Sequence, residues 1–173
     1  MKNRYEIKDD VVVIHLRSKV HGDQETIISR EDLELVNSMP YTWYAKQGGF
    51  RTGLYVAANI YNENNERKTI RLHQWIKSPS KGMEVDHINH NPLDNRRNNL
   101  RVVTSSLNQL NRKRSNKGNP TLIQGVSYRK DINKYRARVY KDRELIYSKH
   151  FKCLKDAEQA VKNKRRALMK EGD

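Results

Sequence analysis

The chain of 173 residues has a single cysteine, Cys153, so neither an internal disulfide nor a cysteine-built zinc knuckle can form. That scarcity fits a reducing, intracellular setting. No apolar run approaches the roughly 20 residues of a membrane span, and the opening Met1-Lys2-Asn3-Arg4-Tyr5-Glu6-Ile7-Lys8-Asp9-Asp10 lacks the apolar core of an export signal. A soluble, cytoplasmic protein with no membrane partner is expected. Hydrophobic residues are only 35% of the chain, which excludes one large core and favours one ordinary domain or two or three small units. Acidic residues are also scarce, 20 against 35 Lys and Arg, leaving a net charge of +15. At this size such an excess points to a polyanion such as nucleic acid.

The charge is uneven. Residues 1–111 carry 16 basic and 13 acidic side chains, whereas residues 112–173 carry 19 and 7. The last third is therefore the electrostatic handle, and the middle is where chemistry is sought. Val11 to Leu16 read as a strand, with Thr26-Ile27-Ile28 as its hairpin partner. Ser29 and Asp32 resemble a capping box opening a short helix through Leu33, Leu35 and Val36 that stops before Pro40. Tyr41 to Tyr61 reads as a small antiparallel sheet, and Thr69 to Ile76 as a helix lined by Ile70, His73 and Trp75 or Ile76. Asn89 to Asn99 is a loop, and Ser105 to Arg114 a helix. There is no internal repeat.

Between residues 84 and 108 the chain gathers Asp86, His87, Asn99 and Asn108. Hydrolysis of a phosphodiester needs an activated water, charge stabilisation on the phosphate and help for the departing oxygen. A neutral imidazole supplies the base, and a hard divalent cation held by oxygen ligands supplies the other two. Asp86 and His87 are neighbours, so an extended strand would send them to opposite faces unless it twists or ends there.

The order Leu72-His73, Val85-Asp86-His87-Ile88, Leu93-Asp94-Asn95-Arg96, Asn99-Leu100-Arg101 and Asn108-x-x-Asn111 closely resembles the HNH motif of bacteriophage and homing endonucleases. The resemblance covers residues 70–111 and implies a ββα-metal fold. It also implies that His87 is the general base, that Asp86 and Asn108 bind one Mg²⁺ or a similar cation such as Mn²⁺, and that Asn99 braces the loop and orients His87. Asn89-His90-Asn91 stands where such motifs commonly carry Asp-Gly-Asn, which bears on loop geometry. His73 is read two ways, as a support of the metal site or as a packed structural histidine, and Asn111 is a further possible support. Asn95 and Asn98 read as turn formers. Arg96 and Arg97 are assigned electrostatic help toward phosphates, and Arg101 is either a clamp or solvated. His15, His21 and His150 are read as structural.

Gly125 to Lys130, Lys134 to Lys141 and Leu145 to Phe151 alternate like three strands of a meander. Leu154, Ala157, Ala160, Val161, Lys164 and Leu168 then recur at helical spacing. The alternation assigns Val126, Tyr128, Tyr135, Ala137, Val139 and Ile146 to the helix-covered face. It assigns Ser127, Arg129, Arg136, Arg138, Tyr140 and Tyr147 to the other, which a duplex groove can accept because adjacent basic charges there lack acidic partners. Gly125-Val126, Lys134-Tyr135-Arg136-Ala137, Tyr147 with Phe151 and Ala157-x-x-Ala160 are similar to the APETALA/ethylene-response-factor DNA-binding domain. That resemblance implies DNA contacts for Arg129, Arg136, Arg138, Tyr140 and Tyr147, although Tyr135 stands for the usual Trp and Lys149 for a Gly.

The expected architecture is α+β. An HNH domain spans 1–114, with strands and a helix over 1–69 and the ββα-metal motif over 70–114, followed by a linker at 115–122 and a DNA-binding domain at 123–173. The expected function is metal-dependent endonucleolytic cleavage of double-stranded DNA, with one active site per chain and hence nicking. Two alternatives stand beside it, a non-catalytic DNA-binding regulator and an RNA-binding basic protein. Target sequence and oligomeric state, monomer or dimer, are open.

Overall fold

The computed structural model describes residues 1–18, 20–48, 53–110 and 120–170. The fold is mixed α+β with several small sheets and few helices. The chain divides into two compact units, Met1–Val102 and Val103–Asp173. Of the expected linker, residues 115–119 lie outside the described residues, as does Asn111. No helix among the described residues is long and apolar enough to cross a membrane.

The first unit opens with β1 (Tyr5–Lys8), β2 (Val11–Leu16) and β3 (Gln24–Ser29), an antiparallel meander built on the β-branched residues of β2. A 3-10 turn (Arg30–Asp32) and α1 (Leu33–Asn37) follow. β4 (Tyr44–Gln47), β5 (Leu54–Tyr61) and β6 (Arg67–Arg71) make a second antiparallel sheet, and α2 (Leu72–Lys77) leaves its end. β7 (Met83–His87) pairs with β9 (Leu100–Thr104), while β8 (Asp94–Asn95) adds to β3 in parallel, with Ile27 opposite Asp94 and Ile28 opposite Asn95. A 3-10 turn (Arg97–Asn99) connects β8 to β9.

Ile14, Leu16, Ile28, Trp43 and Leu72 are wholly buried in one core. Each such side chain contributes about 1.5–3 kcal/mol relative to exposure. This packing fixes β3, and through the β3–β8 pairing it fixes the loop that follows β7.

Two expectations for this unit need correction. Thr69 to Arg71 belong to strand β6, paired with Asn59 to Ala57, and the helix begins only at Leu72. Cross-strand pairing therefore wins over the helical spacing, and the buried helix positions are Leu72, His73 and Ile76. The capping box at Ser29 and Asp32 is not formed. Ser29 Oγ instead accepts the Arg97 N–H at 3.0 Å, and Asp32, fully buried, accepts the Arg97 guanidinium at 2.7 Å.

The second unit holds α3 (Ser105–Leu110), the antiparallel sheet β10 (Val126–Arg129), β11 (Lys134–Lys141) and β12 (Glu144–Phe151), and α4 (Leu154–Lys170). Val126, Ala137, Val139, Ala157, Val161 and Leu168 form its core, so the expected three strands on one helix are present. Gly125 enters β10 at φ +85°, and an added Cβ would lie 2.5 Å from the Arg138 carbonyl oxygen. Only glycine fits that approach.

The expected face of Tyr147 is also corrected. Register pairs Val139 with Tyr147 and Tyr140 with Leu145, leaving Ile146 as an extra residue in a bulge. One inserted residue shifts the alternation, so Tyr147 shares the Val139 side and packs half-buried against the core.

Candidate active site

In β7 the two-residue period buries Val85 and His87 and leaves Asp86 on the other side. Asp86 Oδ2 accepts Arg101 Nη2 at 2.7 Å and Nε at 3.1 Å, so the carboxylate is held by a guanidinium from β9. His87 is 6% exposed. Its Nε2 lies 3.3 Å from Asn95 Oδ1, and its ring meets that of His73 edge-on, with centroids 4.9 Å apart at 75°.

His73 comes from α2, is 3% exposed, and has an enclosed Nδ1 without a hydrogen-bond partner. The Tyr55 ring flanks it at 5.8 Å, and the Arg71 guanidinium sits 5.2 Å over that tyrosine. Burial, helped by the positive character of His87 and Arg71, pushes His73 down to about 3. Burial also lowers His87, opposed by the Asn95 hydrogen bond and by the Asp86 and Asp94 carboxylates. Both imidazoles are thus favoured neutral, the form a proton acceptor needs.

The loop after His87 is cross-braced by amides. Asn99 Oδ1 accepts the Asn89 N–H at 3.0 Å, and Asn99 Nδ2 donates to Asn89 Oδ1 at 3.0 Å and to the Asp94 carbonyl at 2.7 Å. Asn89 Nδ2 in turn donates to Asp94 Oδ2 at 2.8 Å. Asn99 therefore sits as a loop brace. The side chain placed to hydrogen-bond the His87 ring is Asn95, which by composition reads as a turn former. It is fully buried, a condition that spacing alone does not reveal, although its membership of Leu93-Asp94-Asn95-Arg96 was a signal. His90 occupies φ +62°, a left-handed conformation that glycine adopts most readily.

The basic residues divide by partner. Arg96 grips Asp94 through Nε at 2.8 Å and Nη2 at 2.7 Å, and this contact holds the Asp94 carboxyl below its usual range. Arg97 is taken by Asp32 at 2.7 Å and Glu31 at 3.6 Å. In the second unit Arg129 is likewise held by Asp131, at 2.8 and 2.6 Å, which corrects the expectation of a face lacking acidic partners. Arg136 pairs in register with Ser127 and His150, and Arg138 Nη1 donates to the half-exposed Tyr140 hydroxyl at 3.0 Å. Asn108 lies on α3 in the second unit.

Among the described residues no group of three or more His, Cys, Asp or Glu is gathered as a ready metal cage. Asp86 offers a hard carboxylate oxygen with no thiolate beside it, a donor chemistry that suits a cation keeping most of its shell as water and phosphate oxygens, as Mg²⁺ does.

Residues 77–110 match the family model for HNH endonuclease. The matched segment runs from the end of α2 through β7, β8, β9 and α3, and so contains Asp86, His87, Asn95 and Asn99. His73 and the second unit beyond α3 lie outside it. No curated protein and no solved structure matches the chain. The family match points to a hydrolase that cleaves DNA, and HNH nucleases generally use divalent metal ions.

Proposed function

We propose that the protein is a metal-dependent HNH endonuclease that nicks one strand of duplex DNA, of the phage or homing type. The observation that carries this is a buried His87 held by a side-chain hydrogen bond to Asn95, one residue along β7 from the Asp86 carboxylate, inside the segment that matches the family. His87 takes the proton of a water that attacks phosphorus, and its low residual exposure favours the neutral base. Asp86 is the carboxylate for the cation. The second oxygen donor, Asn108, rests on the motif resemblance alone. A bound divalent cation supplies charge stabilisation for the phosphate and the departing oxygen. Arg101 acts as the counter-charge that keeps Asp86 oriented.

The second unit is the holder of the duplex, as its resemblance to the ethylene-response-factor domain implies. Arg136, Arg138 and Tyr140 are its contact residues. With one such centre per chain, supercoiled plasmid incubated with Mg²⁺ or Mn²⁺ should convert to open circles. His87→Ala should abolish conversion while DNA affinity stays close to wild type. Plasmid that stays supercoiled across several metals and sequences would sink the nuclease function. A non-catalytic DNA-binding regulator is the second reading, favoured by the Arg101 contact that already answers the Asp86 charge. It requires DNA binding with no metal-dependent product.

A further inference from the structure

Thr26, from β3, has no place in the motif, yet it is fully buried and bonded to the residue that touches His87. The bonds around it have a forced direction. Asn95 Nδ2 lies 3.2 Å from the Pro92 carbonyl oxygen, which only accepts, so the amide face turned to Pro92 is the NH₂. The same nitrogen donates to Thr26 Oγ1 at 2.9 Å. Thr26 Oγ1 spends its own proton on the Leu93 carbonyl at 2.7 Å, leaving lone pairs for Asn95. Asn95 Oδ1 therefore faces His87 Nε2 as an acceptor, and a neutral imidazole meets an acceptor only with a proton on that nitrogen.

We infer that Thr26 and Asn95 are positioning residues that lock His87 as its Nε2–H tautomer, so that Nδ1 is the atom that receives the proton from water. This rests on the nuclease function proposed above for its catalytic meaning, but not for the tautomer itself. The chain of donors runs His87 to Asn95 to Thr26 to the Leu93 backbone and ends on a carbonyl that has no proton to return. A reversed amide would turn its NH₂ toward His87 Nε2 and its oxygen toward Pro92, leaving the Pro92 and Asn95 oxygens facing each other at 3.2 Å. Once Nδ1 has taken a proton, the imidazolium keeps its Nε2–H on Asn95, so the relay remains bonded throughout the step. Without it the two neutral tautomers would compete, and only one presents the lone pair to water.

The test is nitrogen-detected NMR on ¹⁵N-labelled full chain, with the His87 signals assigned by their absence in His87→Gln. Above the histidine's titration the expected pattern is a pyrrole-type Nε2 and a pyridine-type Nδ1; the opposite pattern, or an averaged pair, overturns the inference. Thr26→Val keeps the shape and removes the hydroxyl. It should shift the pattern toward an average and lower kcat for nicking by about tenfold or more with KM little changed, while Thr26→Ser restores both. Valine and serine variants that both match wild type in tautomer and kcat would overturn the relay. An inert protein with the stated tautomer refutes the nuclease function and supports the lock, whereas an active protein with Nδ1 protonated refutes the lock alone.

Discussion

Arg101 Nη2 lies 2.7 Å from Asp86 Oδ2, joining β9 to β7 through side chains only 15% and 11% exposed. Removing one partner of a largely enclosed pair strands the other charge, which costs more than the pair contributes when intact. Arg101→Met should therefore lower unfolding free energy by about 2–4 kcal/mol in urea titrations. A divalent cation should recover part of that loss, because it supplies the missing positive charge to Asp86. A variant as stable as wild type, with or without cation, would mean that the Asp86 charge is answered elsewhere.

His73 makes stability pH-dependent. Its folded-state value is lowered from the ordinary 6.5 to about 3, so the unfolded chain takes up the proton first as the solution is acidified. The stabilising difference is complete above about pH 6.5 and declines as pH falls from there toward about 3, by about 1.4 kcal/mol for each pH unit from this group. His87, also lowered by burial, adds in the same direction. Urea midpoints compared at about pH 7 and about pH 5 should show a smaller drop for His73→Phe than for wild type, by close to one proton's worth of slope. Equal drops would remove His73 as the responsible group.

The outer face of β10–β12 separates occupied from available arginines. Arg129 already grips Asp131, whereas Arg138 contacts the Tyr140 hydroxyl. Arg136→Ala and Arg138→Ala should each weaken duplex binding and reduce the slope of log K against log salt by about 1, while Arg129→Ala should change both less. Fluorescence anisotropy across a salt series reads all three. A dominant Arg129 effect would mean that the duplex draws this side chain away from Asp131, so that the ion pair does not decide which arginines bind.

What the chain disclosed in advance follows from how local the determining physics is. The strand at Val11 to Leu16 and the meander at 125–151 were visible because β-branched and aromatic residues alternate with polar ones there. Thr69 to Arg71 of β6 read as helix because Ile70, His73 and Ile76 fall at helical intervals, while their pairing with β5 is non-local. The side of Tyr147 was lost to one bulged residue, Ile146. In the candidate site, Asp86 and His87 stood out by chemical type. Asn95 did not, because an asparagine in an asparagine-rich loop has the composition of a turn, and its burial depends on Thr26, which is 69 residues away in sequence. The ion pairs of Arg96, Arg97 and Arg129 were equally hidden, since a cation's partner is set by folding and not by composition.

Two residues of β8 lying beside β3 bring the hydroxyl of an early strand under the amide that steadies the histidine. A fragment cut to residues 77–110 would keep Asp86, His87, Asn95, Asn99 and Asn108 yet lose that hydroxyl and the buried aspartate that receives Arg97. The segment that carries the family signature is thus a tenant of the strands before it, and transplanting it into another scaffold means carrying the landlord along.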